Sequence, residues 1–173
     1  MRIKLYVDMD GVLSDFDTAF RSINGSPNDK VKFRQVVMQD KIFRDLNFMP
    51  DTEQLLNHLK TLKDIDIEIL TSVGTFDPFV GQEVKNQKKN WLKENNINYK
   101  PNFVRSKSEK AKYAINTSGI HEFPNILIDD SAGCVDPFNA AGGRGILHKT
   151  ATETISLLDS TILQLRAINS LRT

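Results

Sequence analysis

Ile3-Lys4-Leu5-Tyr6-Val7-Asp8-Met9-Asp10-Gly11-Val12 is the stretch whose reading decides the fold. Its Ile, Leu, Tyr and Val are the composition of a strand. The run stops at two aspartates one residue apart. Side chains two apart on a strand share a face, so Asp8 and Asp10 are expected to leave it in roughly one direction. Gly11 permits a tight turn, and Val12 onward can start a helix. Two carboxylates this close repel one another unless a cation or a shared proton intervenes. In an open α/β sheet the ligand crevice lies beyond the carboxyl ends of the strands. A pair at that place is a candidate metal and catalytic site. The plainer reading is a turn with an aspartate cap, but a cap needs one Asp and this stretch has two.

Outward from this stretch, strand and helix signals alternate. Residues 12–23 read as helical and lead into the turn-rich Asn24-Gly25-Ser26-Pro27-Asn28-Asp29. Residues 30–39 and 51–62 read as helices, the second with Asp51 as N-cap and Gln54 as the glutamine of a capping box. Ile65-Asp66-Ile67-Glu68-Ile69-Leu70 is a strand ending at Thr71-Ser72. Residues 78–95 form a long helix with Trp91 in the core. Phe103-Val104 is a short strand and 108–115 a short helix. Asn125-Ile126-Leu127-Ile128 is a strand ending at Asp129-Asp130. Gly142-Gly143-Arg144-Gly145 lacks the lysine and flanking pattern of a P-loop and reads as the turn into a last strand at 145–147. Ile155, Leu158, Ile162 and Leu165 recur at helical spacing in a closing helix over 151–168. Such alternation argues for βαβ units and a parallel sheet, with right-handed crossovers placing helices on both faces. The expected class is α/β, a three-layer Rossmann-like parallel sheet. The segment 14–62 exceeds what one crossover needs. It is expected to hold a small helical cap inserted after the first strand, leaving 1–13 and 63–173 as the core domain.

Composition narrows the function classes. In 173 residues, 39% are hydrophobic and 26% charged, as in an ordinary soluble globular protein. Lys and Arg number 23 and Asp and Glu 22, a net charge of +1, so polymeric nucleic acid is not an expected partner. That balance leaves room for a small basic pocket for a phosphate. No apolar stretch approaches the roughly 20 residues of a membrane span, and no membrane partner is expected. Met1-Arg2-Ile3-Lys4 leads straight into the strand without the apolar region of a signal peptide. Cys134 is the single cysteine, so no intrachain disulfide is expected and a buried thiol is. A cytoplasmic location fits both. His58, His121 and His148 stand apart in sequence from other metal-type ligands, which argues against zinc.

Polar signals fall at four expected strand ends: Asp8 with Asp10, Thr71-Ser72, Ser106-Lys107-Ser108 with Lys110, and Asp129-Asp130. Each alone is weak; their convergence on one edge of one sheet is not. Carboxylate and carbonyl oxygens without His or Cys suit a hard ion, Mg²⁺ above all. Hydroxyls and an ammonium group supply donors and positive charge for an anionic substrate. Metal, donor, cation and carboxylate nucleophile together describe a phosphoryl-transfer site.

Asp8-Met9-Asp10-Gly11-Val12, Leu70-Thr71-Ser72, Lys107 and Ile128-Asp129-Asp130 resemble the four motifs of the haloacid dehalogenase (HAD) superfamily of phosphohydrolases, over about residues 3–148. Within it the chain is most similar to the 5′(3′)-deoxyribonucleotidases, including bacterial and phage-type relatives. The strings that carry this likeness are Val7 to Phe16, Phe43-Arg44-Asp45-Leu46 with Met49-Pro50, Thr71-Ser72, and Leu127-Ile128-Asp129-Asp130-Ser131. The resemblance implies Asp8 as the nucleophile and Asp10 as the acid that protonates the leaving oxygen and then activates water. It implies Mg²⁺ on the Asp8 carboxylate, the Asp10 backbone carbonyl and Asp130, with Asp129 as a further ligand or a partner behind them. Thr71 and Ser72 would hold phosphate oxygens, and Lys107 would neutralise the phosphate, with Lys110 as the alternative. Phe16 and Phe43 match cap aromatics on which a base would stack. The implied reaction is hydrolysis of a (deoxy)nucleoside monophosphate to nucleoside and phosphate through an aspartyl-phosphate, and such proteins often form homodimers. The competing readings are a HAD phosphatase for another small phosphate ester such as a sugar phosphate, a polynucleotide-end phosphatase, and a non-catalytic nucleotide-binding domain.

Overall fold

The first strand, β1 (Ile3–Val7), lies at the centre of a five-stranded parallel sheet. The computed structural model describes residues 2–26, 29–116 and 123–170; residues 1, 27–28, 117–122 (with His121) and 171–173 lie outside them. In chain order the elements are β1, α1 (Phe16–Ser22), α2 (Lys30–Gln35), a π-helical turn Val36–Asp40, α3 (Thr52–Thr61), β2 (Ile65–Ser72) and α4 (Pro78–Glu94). Next come β3 (Lys100–Val104), a 3₁₀ segment Lys107–Tyr113, and β4 (Ile115–Asn116). The chain closes with β5 (Phe123–Pro124), β6 (Ile126–Asp129), α5 (Ala132–Ala140), β7 (Arg144–Leu147) and α6 (Ala151–Ser170). The sheet order is β3-β2-β1-β6-β7, with β4 and β5 a separate antiparallel pair. The class is the expected one: α/β, Rossmann-like, parallel, with helices on both faces.

Strand parity assigns the layers. Ile3, Leu5, Val7, Ile65, Ile69, Ile126, Ile128 and Ile146 point to one face, where they meet Leu55 and Leu59 of α3, Val84 and Trp91 of α4, and Leu158 and Ile162 of α6. Tyr6, Leu70, Val104 and Leu127 point to the other, against Ala114 and the α5 residues Cys134 and Phe138. Cys134 is a free, buried thiol whose pKa burial pushes up to about 12, as expected of a packing residue. No helix among the described residues is long and apolar enough to cross a membrane.

Several local expectations give way to tertiary structure. Residues 12–14 do not begin a helix: the amides of Val12, Leu13 and Ser14 all donate to the Met9 carbonyl, and α1 starts at Phe16. Asp51 does not cap α3. Its carboxylate accepts instead from the backbone N–H of Ala151, the first residue of α6, while Gln54 donates to Thr152 at 3.1 Å. The capping-box spacing is present, but a nearer helix end claims the aspartate. The 108–115 helix is a 3₁₀ segment running into β4, and α5, with Pro137 inside it, stands where no helix was expected.

The segment between α1 and α3 leans on α4. Arg34 pairs with Asp77, Lys41 with Glu83 at 3.0 Å, and Gln87 donates to the Val37 carbonyl at 2.8 Å while accepting from the Phe43 N–H at 3.2 Å. Farther along α4, Trp91 is 1% exposed and its indole donates to the Leu46 carbonyl at 2.8 Å. Replacing Trp91 with Phe strands that carbonyl and leaves a small void, so stability should fall by about 1–3 kcal/mol. Urea unfolding followed by circular dichroism checks this, and an unchanged midpoint would contradict it.

Candidate active site

The C-terminal edge of the sheet collects the acids. β1 ends at Val7, and the chain turns through Gly11 at φ +78°. Asp8 keeps the parity of Tyr6, so its carboxylate faces the α5 side. There Lys110, from the 3₁₀ segment, lies 2.9 Å from Asp8 Oδ2 and 2.6 Å from Asp129 Oδ2. Asp129 shares the parity of Leu127 and meets the same lysine for the same reason. Asp130 completes the group: carboxylate oxygens of Asp8, Asp129 and Asp130 lie within 4.8 Å of one another. A Cβ on Gly11 would stand 2.2 Å from Asp130 Oδ2. Gly11 is thus required twice, for its backbone angle and for the space Asp130 occupies.

Asp10 does not follow Asp8. The strand has ended, so the two-residue period no longer holds and the two carboxylates diverge. Asp10 Oδ2 lies 2.6 Å from Nζ of Lys88, which rises from α4 on the opposite face of the sheet. Asp10 Oδ1 accepts from Ser14 at 3.2 Å. Lys88 is 0% exposed, and it also donates to Thr71 Oγ1 at 2.8 Å and to the Ser72 carbonyl at 2.9 Å. Thr71 has the parity of Ile69, which aims it at α4. Since the Thr71 oxygen accepts from Lys88, its own proton is left to donate.

Two lysines therefore enter the site from opposite layers. Sequence reasoning ranked Lys107 first and missed Lys88. Lys107 is exposed and reaches Ser131 Oγ at 3.1 Å, at the rim; Lys110, 1% exposed, makes the contacts with Asp8 and Asp129. Three residues separate them, one full turn of a 3₁₀ helix, so both leave the same side of it, and the turn that packs against the acids is the one that carries Lys110. The signal for Lys88 was its place in the apolar stripe Val80, Val84, Lys88, Trp91 on α4, where a lysine is out of keeping. Ser72 does not offer a free hydroxyl: it donates to the Arg105 carbonyl at 3.3 Å and accepts from the Gly74 N–H at 3.1 Å.

The aromatic expectations change as well. Phe43 is 3% exposed and stacks on Phe16, with ring centroids 4.8 Å apart and planes 7° from parallel. Phe16 also stacks with Phe20, at 5.2 Å. Phe33 meets Phe16, Phe20 and Phe43 edge-on. Phe16 and Phe43 border the cavity, but their ring faces are engaged within this cluster, which joins the main core through Phe43.

Electrostatics at the floor follow from three carboxylates beside one buried ammonium. Burial works against the charge on Lys110, yet Asp8 and Asp129 outweigh it and hold its pKa above the usual lysine value. The surplus negative charge falls on the later pair. Burial and then Asp8 raise Asp129, against the pull of Lys110. Asp130 is exposed as a residue, but its carboxylate lies close against Gly11; partial desolvation there, then Asp8 and Asp129, push its pKa up to about 6. Three clustered carboxylates whose charge is incompletely balanced, with no His or Cys among them, fit a hard divalent ion such as Mg²⁺. His58 and His148 are occupied elsewhere, by Asp159 at 2.9 Å and by Thr154 at 2.8 Å.

The cavity over this floor measures about 910 Å³ and runs from Asp8 and Asp130 past Phe16 and Phe33 to Phe76. No protein-family model matches the chain, and no curated protein matches it. Among solved structures the chain is similar to a hydrolase from Streptococcus pneumoniae TIGR4, with a TM-score of 0.50 and 13% identity over 91% of this chain and 98% of that one. A haloacid dehalogenase-like family hydrolase from Streptococcus pneumoniae matches with a TM-score of 0.47 and 14% identity, over 83% of each chain. At 13% identity the likeness to the first of these structures is one of fold alone, the α/β architecture described above.

The raised Asp130 pKa carries a sign. Between the ordinary 3.8 and about 6 the folded protein holds more protons than the unfolded chain, so this group's contribution to stability falls as pH rises through that window. Above it, the charged cluster opposes folding unless a cation joins it. Mg²⁺ added to chelator-treated protein should raise the melting temperature more at pH 7.5 than at pH 5. Equal shifts at the two pH values would count against a cation on this cluster.

Proposed function

We propose that the chain is a Mg²⁺-dependent phosphomonoesterase of the HAD type, acting on a (deoxy)nucleoside monophosphate. The observation that carries this reading is the division of the site's acids. Asp8 joins Asp129 and Asp130 beside Lys110, while Asp10 is drawn aside to Lys88 and Thr71. One aspartate is thereby set among charge-balancing groups and the other is held apart from them, the separation a nucleophile and a general acid need.

In this reading Asp8 attacks phosphorus, forming an oxygen–phosphorus bond as the ester bond breaks. Asp10 gives its proton to the leaving oxygen. Asp10 then takes a proton from water, whose oxygen attacks the aspartyl-phosphate, releasing phosphate and restoring Asp8. Thr71, 0% exposed and outside the cavity lining, accepts from Lys88 and so helps to hold the partner of Asp10, and Lys110 balances charge on the Asp8 side. Asp8, Asp129, Asp130 and the Asp10 carbonyl would hold Mg²⁺, which would offset the charge of phosphate and carboxylates. Residues 14–62 act as the cap, closing the cavity with Phe16, Phe20 and Phe33. The apolar wall and the cavity volume favour an ester with a sizeable organic part over a small sugar phosphate.

A panel of phosphorylated metabolites with Mg²⁺, read as released phosphate, tests the class. Nucleoside monophosphates should be turned over, and chelation or Asp8→Asn should abolish that turnover while the circular dichroism spectrum is retained. Residual activity near the native rate in Asp8→Asn would refute the nucleophile. Lys88→Met should lower kcat more for nucleotides than for p-nitrophenyl phosphate, whose leaving group scarcely needs an acid. A uniform loss on both would mean that Lys88 does not act through Asp10.

A further inference from the structure

Phe76 is 74% exposed and lines the same cavity as the acid cluster. It stands in the loop after β2, four residues beyond Ser72. Its backbone is held on both sides. Gly74 N–H donates to Ser72 Oγ at 3.1 Å, and Asp77 N–H donates to Thr75 Oγ1 at 3.1 Å. The Asp77 carboxylate caps α4 through the Phe79 and Val80 amides and pairs with Arg34 of α2. Phe33 lies against the loop, 3.4 Å from where a Cβ on Gly74 would stand. A large apolar ring is thus presented to solvent by an anchored backbone. It faces a cavity whose other phenylalanines are engaged with one another.

Resting on the phosphatase reading, we infer that Phe76 is the specificity-determining aromatic of the site and that it stacks on a planar ring, a nucleobase, of the phosphate ester. The phosphate end meets the acid cluster; the ring end meets Phe76. The cap cluster of Phe16, Phe20, Phe33 and Phe43 supplies the opposite apolar wall and not the stacking face. Stacking on an aromatic side chain is sequence-tolerant because every base has a π-face, so Phe76 selects for a base and discriminates little among bases. Phe79 provides the control: it is 76% exposed, three residues away on the first turn of α4, and does not line the cavity.

The test compares kcat/KM for nucleoside monophosphates with that for ribose 5-phosphate, which has the sugar and phosphate but no base. Phe76→Ala should reduce this ratio about ten-fold, within the range that one base stack carries. Phe76→Tyr should keep it, and Phe79→Ala should leave it at the native value. A native ratio in Phe76→Ala, or an equal loss in Phe79→Ala, overturns the inference while the phosphatase reading stands. If the native enzyme turns over no nucleotide, that reading fails separately. Phe76 is then judged by ligand-observed NMR with unphosphorylated nucleosides. Binding lost in Phe76→Ala supports the stack, and binding absent or unaltered overturns it.

Discussion

Crowding of negative charge at one edge of the sheet is the constraint on which the rest depends. Parallel strands deliver Asp8, Asp129 and Asp130 to one small volume, and such a group is tolerable only with positive charge set against it. The protein answers with one buried lysine from each layer. Lys110 arrives from the segment that crosses beneath the sheet, and Lys88 from the helix that covers its other face. Each long side chain buries its methylene stem in a hydrophobic layer and delivers its ammonium to the acids. The layers on the two faces therefore do more than cover the sheet. Each brings its own countercharge to the site.

The division of the first two aspartates follows from where β1 stops. Inside the strand, parity would have kept Asp8 and Asp10 together. The turn on the Met9 carbonyl, made possible by Gly11, sends the second carboxylate across to α4. A short departure from regular geometry converts two equivalent side chains into two with different neighbours, and unlike neighbours are what unlike chemical roles require.

The parallel sheet and its acidic edge were legible because β-branched runs ending in Asp, Thr or Asp-Asp are local patterns. Asp8, Thr71, Asp129 and Asp130 all stand at the strand ends where the sequence put them. What could not be read was partnership across space. Lys88 sits among Lys85 and Lys89 in a stretch that looks like a solvated helix face, and its burial shows only against the Val84 and Trp91 spacing. Lys107 and Lys110 lie one 3₁₀ turn apart on the same side, and which of the two turns packs against the acids is settled by tertiary packing and not by motif spacing. Asp51 had the right neighbours for a cap on its own helix, yet α6 lay within reach. Phe16 and Phe43 carried a pattern of aromatic residues, but their rings stack on one another and pack into the core they share with the sheet, which motif spacing does not show.

Helix α4 grips the inserted segment and the acid at once. Asp77, Glu83 and Gln87 hold Arg34, Lys41 and the turn before Phe43, and one residue beyond Gln87 stands Lys88. An α-helix advances about 100° per residue, so these grips share a fixed phase. A single insertion or deletion between Glu83 and Lys88 would swing one set of hands away from its load while the other kept hold. Through evolution this rod can trade its outward-facing side chains freely, but it can change length only at its ends.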